Sequence, residues 1–138
     1  MDKYIHELMM INPTINDILM IKKYEKYKHI QPNVYSEEYY KKLNDLNHDT
    51  LNILNKKNKL SFDERILKRD LKYEITMEED FEIYMYMPVD IINNILIDYV
   101  SETNGSGIYS FNSSEDYLTF LKRLKTLDEI TNEIIKKM

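Results

Sequence analysis

Apolar residues recur every three or four positions through most of the chain, the spacing of helix faces and not the alternation of half-buried strands. From Ser36 onward, Tyr39, Tyr40, Leu43, Leu46, Thr50, Leu51 and Leu54 form one stripe, which "NKKNK" ends. After Leu60 a longer segment carries Ile66, Leu67, Leu71, Ile75, Met77, Phe81, Tyr84 and Met85 until Pro88 stops it. A shorter helix is expected from about Val89 to Ser101, with Ile91, Ile92, Ile95, Leu96, Tyr99 and Val100 on it. The last runs from Ser113 to the C-terminus with Tyr117, Phe120, Leu121, Leu124, Leu127 and Ile130. Near the start, Ile15, Ile18, Leu19 and Ile21 give a short helix that fades in "KKYEKYKHIQPN".

The polar positions mark where these helices begin. Asn12-Pro13 reads as an N-cap followed by proline at the first helical position. Ser36 caps the next helix. Ser61-Phe62-Asp63-Glu64 is a capping box, in which the serine hydroxyl accepts from the Glu64 amide and the carboxylate returns to the Ser61 amide. Ser113 with Asp116 repeats the arrangement. Both glycines of the chain, Gly105 and Gly107, lie in "ETNGSGIYSF", where the chain reverses into the last helix. No strand pair, hairpin or repeat is legible. The expected fold is all-α, an antiparallel helical bundle of about five helices in a single domain, 1–138.

At 138 residues such a domain buries roughly 70% of its unfolded surface, enough for a core without covalent staples. Cysteine is absent, which excludes disulfides, zinc–thiolate sites and thiol catalysis. The net charge of −5, with both signs interspersed, argues against nucleic acid as a partner. "MPVDIINNILIDYV" is interrupted by Asp90, Asn93, Asn94 and Asp98, so no membrane span is expected. Met1 to Met10 is too polar for a signal-peptide core, and a cytoplasmic protein is expected. Alanine is absent while Lys, Asn, Ile and Tyr abound. These four have AT-rich codons, pointing to an AT-rich genome, as in many giant viruses and some protists and bacteria; if the source is viral, the expected location is the host cytoplasm or virion. That bias accounts for most of the twelve tyrosines.

Candidate chemistry is sparse. His6, His29 and His48 fall on different segments, and "HELMM" has Met10 where a zinc-protease helix needs its second histidine. The carboxylates Glu78, Glu79, Asp80 and Glu82 read as surface charge, and "NGSG" lacks the lysine and preceding strand of a phosphate loop. No catalytic residue, cofactor site or metal site is expected, so the chain is not read as an enzyme. Tyr84, Met85, Tyr86 and Met87 stand out differently. Four consecutive large residues cannot all face one core from a helix, which makes them a candidate protein contact, for a partner or a second copy.

Three phrases in register resemble the N-terminal helical region of a mainly bacterial family of zinc-metallopeptidase-like proteins, long catalogued as a domain of unknown function. Ser113, Glu115, Asp116 and Tyr117, followed by Arg123-Leu124, match one. Leu60, Ser61, Asp63, Glu64, Arg65, Leu71, Glu74 and Ile75 match a second, and "NPTINDILMIKKYEKY" followed by "YSEEYYKKL" resembles the opening. The resemblance runs from about 12 to 138. Family members are several times longer, with their zinc helix far downstream, so no catalytic or zinc residue carries over. It implies a non-catalytic stand-alone domain, a protein-binding or structural module derived from the front of such a protein. One alternative is a piece of a split zinc peptidase that needs a separate catalytic half; another is a virion-packaged structural protein or an inert remnant.

Overall fold

The computed structural model describes residues 2–81, 100–101 and 111–137. Among them the protein is all-α: every regular element is a helix or a 3₁₀ turn. The chain opens with α1 (Asp2–Ile11), a 3₁₀ turn (Pro13–Ile15), α2 (Asn16–Leu19) and a second 3₁₀ stretch (Lys22–Tyr27). Two long helices follow, α3 (Glu37–Lys56) and α4 (Phe62–Phe81), and then α5 (Ser114–Leu124) and α6 (Leu127–Lys137).

The first helix was not anticipated, although its stripe is present in the sequence. Tyr4, Ile5, Leu8 and Met9 turn inward, Met9 completely, while Asp2, Lys3, His6 and Glu7 face water. Helix α1 packs on α3, and α3 packs on α4 across the short connection 57–61, which makes α3 and α4 an antiparallel hairpin. Met9, Tyr24, Leu54, Leu71 and Ile75 are buried in this part of the molecule. The Tyr4 hydroxyl donates to Asn47 Oδ1 at 3.2 Å, which satisfies a buried amide on the inner face of α3.

Three expectations are corrected. Asn12 occupies the N-cap position before Pro13, but its side chain caps no backbone amide. It accepts from the Thr14 hydroxyl at 2.6 Å and donates to the Tyr39 hydroxyl at 3.0 Å, so it ties the turn to α3 instead. The last helix is two helices, broken at Lys125-Thr126. Phe120, Ile130 and Ile134 form one buried cluster, with Tyr35, Phe111, Leu124 and Leu127 against it. In a continuous helix Phe120 and Ile130 would stand about 15 Å apart, so the chain must fold back for them to meet. The Thr126 hydroxyl donates to the Arg123 carbonyl at 2.7 Å and stabilises the break. Finally, the buried face of α5 consists of Asp116, Thr119, Phe120 and Arg123, leaving Tyr117 and Leu121 exposed. The helix is rotated so that charge, not only hydrocarbon, points inward. The segments expected at Tyr84–Pro88 and from Val89 to Tyr99, and the glycine loop, lie outside the described residues.

Candidate functional site

The expected helix caps are well defined. Ser36 Oγ accepts from the Tyr39 amide at 3.1 Å. Ser61 and Glu64 bond reciprocally, at 3.2 Å into the hydroxyl and 2.9 Å into the carboxylate. Ser113 and Asp116 close a second box, with the Ser113 amide donating to Asp116 Oδ2 at 2.9 Å. The Lys57 ammonium, and then the Ser61 amide, lower the pKa of Glu64 below the usual glutamate range.

Asp116 does more than cap. Its Oδ2 also accepts from the Asn112 amide at 3.1 Å and the Ser113 hydroxyl at 2.9 Å, while Oδ1 takes the ammonium of Lys28, distant in sequence. Lys28 foremost, with the Ser113 hydroxyl second, pulls its pKa down to about 2. Seven residues on, two turns up the same face, lies Arg123, only 5% exposed. Its guanidinium grips Asp17 with two bonds, 2.5 Å to Oδ2 and 3.0 Å to Oδ1, and its Nε donates to the Lys28 carbonyl. Two ion pairs, Asp17 with Arg123 and Lys28 with Asp116, are therefore linked where Arg123 also holds the Lys28 backbone. The bidentate fork is the geometry in which arginine binds carboxylate best. With its pKa lowered, Asp116 is a poor proton donor; the arrangement is a clasp, not an acid–base pair.

The clasp sets up the neighbouring residues. Asn16 is buried; its backbone carbonyl accepts from the Met20 amide and its side-chain Oδ1 from the Ile21 amide, both at 2.8 Å. Together these bonds end α2 and hold Met20 left-handed, at φ 51° and ψ 37°, a conformation that costs a residue with a Cβ about 1–2 kcal/mol. With Asn16 and Asp17 locked inward, Ile18, Leu19 and Met20 project outward, 66%, 53% and 71% exposed. Scattered exposed apolar residues are ordinary, but three consecutive ones on an anchored corner form a patch.

Elsewhere an open groove of about 410 Å³ runs beside Met10, Ile11, Pro32 and Tyr39. Glu38 and Lys42 at its rim pair with each other at 2.6 Å, so neither is directed at a ligand. Among the described residues no group of three His, Asp or Glu side chains gathers as a metal site, and no helix is long and apolar enough to cross a membrane. His6 stacks on the buried Tyr24, ring centres 5.9 Å apart. The candidate contact Tyr84, Met85, Tyr86 and Met87 lies outside the described residues.

Sequence reasoning used Asp116 as a cap and Arg123 only within a family phrase; the roles of Asn16, Asp17 and Lys28 were missed. The available signal was an acid and an arginine seven apart on one helix, flanking Phe120. Compared with models of protein families, with curated proteins and with solved structures, the chain has no match. What the fold and the site define is an all-α protein with a buried charge clasp beneath an apolar corner.

Proposed function

We propose that the chain is a non-catalytic helical domain that works by binding a protein partner, with Ile18, Leu19 and Met20 as the contact. One observation carries this reading: three apolar side chains are held out to water by a backbone that Asn16 and Asp17 fix from beneath. A contact built in advance binds without the entropy cost of ordering a loop, and methionine at its apex adapts to the partner's surface. The resemblance to the front portion of the metallopeptidase-like family fits a binding module of this kind, working in the cytoplasm.

The test is photo-crosslinking in the source cells from a photoreactive leucine analogue at position 19. A discrete protein adduct is expected, and it disappears when Ile18→Ser and Met20→Gly are added while the purified protein keeps its helical signal. Absence of any adduct overturns the contact. Peptide hydrolysis by the purified chain supplied with zinc overturns the non-catalytic reading.

A further inference from the structure

The apolar corner leads directly into a basic stretch, although the chain as a whole carries a net charge of −5. Lys22, Lys23, Lys26 and Lys28 follow Met20, with Glu25 as the single acid among them. Two nearby charges are already taken: Lys28 pairs with Asp116, and Asp17, just before the corner, pairs with Arg123. Among the described residues no carboxylate pairs with Lys22, Lys23 or Lys26.

The backbone sorts these lysines. In a 3₁₀ stretch residues three apart share an edge. Tyr24 is buried and Tyr27 half-buried, so their edge faces the protein. Lys22 shares an edge with Glu25, which offsets it. Lys23 and Lys26 share the third edge, both exposed and with no acid on it, about 6 Å apart along the axis. Each ammonium rests over the ring of the tyrosine that follows it, 4.8 Å from the Tyr24 centroid and 4.7 Å from that of Tyr27. Contacts of this kind restrain a side chain that would otherwise lose much rotamer freedom on binding. The two charges are therefore placed in advance, as Ile18, Leu19 and Met20 are.

Given the reading of Ile18, Leu19 and Met20 as a protein contact, on which this step rests, we infer that the partner is an acidic segment bearing aliphatic side chains. Its apolar groups cover the corner while two of its carboxylates meet Lys23 and Lys26. Acids four apart on a helix or two apart on a strand have the required spacing, about 6–7 Å. The carboxylates also relieve the repulsion between two like charges on one edge. An anionic bilayer is the other surface that takes lysines beside apolar side chains. It is an extended plane, however, and meets the field of the whole acidic molecule. A short segment feels chiefly the charges within a screening length of about 8 Å, and there the balance is basic.

The test uses the full chain with the photoreactive leucine analogue at position 19, and the crosslinked partner peptide is sequenced by mass spectrometry. That peptide is expected to carry aspartate or glutamate beside aliphatic residues. Lys23→Glu with Lys26→Glu lowers the adduct yield by roughly tenfold or more, while Lys23→Arg with Lys26→Arg preserves it. If the glutamate pair loses its helical signal, Lys23→Gln with Lys26→Gln carries the comparison. A synthetic copy of the partner peptide binds the purified chain, and replacing its acids by glutamine abolishes that binding. An adduct that persists undiminished in the charge-reversed chain, or a partner peptide without acids, overturns the acidic partner and leaves the corner as a contact. No adduct from any version overturns the contact itself and this inference with it. Flotation of the purified chain with phosphatidylserine vesicles at physiological salt, or a mobility shift of labelled single-stranded RNA, overturns it in favour of a lipid or nucleic-acid surface.

Discussion

Arg123 shows how much one side chain decides in this molecule. An arginine taken out of water loses several kcal/mol of hydration, which is regained only if its donors find good acceptors. Here the fork meets Asp17 and Nε meets a backbone carbonyl. Arg123→Met keeps the packing volume but strands Asp17, so a loss of about 3 kcal/mol is expected. Asp17→Leu together with Arg123→Met removes the stranded charge and should lose less than Arg123→Met alone, as urea midpoints of the cycle would show. Asp116 adds a pH dependence. Its folded pKa of about 2 lies below the unfolded value of about 3.9, so its stabilisation is complete above the unfolded value and vanishes as pH falls through the folded one. An acid titration of stability should therefore decline between about pH 4 and pH 2, and Asp116→Asn should flatten that decline.

At the scale of elements, the helix starts are the most strongly encoded features. Ser36, Ser61 and Ser113 each accept a bond from the amide three residues on, and replacement by alanine should cost about 1 kcal/mol apiece. Ser113→Ala should be the most costly of the three, because its hydroxyl also donates to Asp116 at 2.9 Å and so holds the clasp. Chemical denaturation of the three variants side by side gives the ranking. The break at Lys125-Thr126 is a different kind of boundary. No glycine or proline marks it, and it exists because Phe120, Ile130 and Ile134 bury more surface folded together than strung along one rod.

For the whole molecule, the described residues divide their contacts unevenly. Helix α3 lies close to both α1 and α4, whereas no described element packs its backbone so closely on α5 or α6. The C-terminal pair is joined to the rest by side chains, through the clasp and through Tyr35 against the Phe120 cluster. Arg123→Met should therefore speed amide hydrogen exchange in α5, α6 and residues 13–28 ahead of α3 and α4. Equal acceleration everywhere would show that the clasp holds the entire fold as one unit.

What the sequence determined by itself is local. Capping boxes and apolar stripes act between residues three or four apart, so the all-α class, the caps at Ser36, Ser61 and Ser113 and the inner residues Leu54, Leu71 and Ile75 could be read from spacing alone. Helix α1 was equally legible, in Tyr4, Ile5, Leu8 and Met9, but the charged residues between them obscured it. The tertiary structure alone decided that α5 turns Arg123 and Asp116 inward and Tyr117 and Leu121 outward, that the last helix folds at Thr126, and that Ile18, Leu19 and Met20 stand in water. The partners responsible are 106, 95 and 88 residues apart. Apolar periodicity ranks a buried arginine below an exposed leucine; only a carboxylate brought to it from the far end of the chain reverses that order.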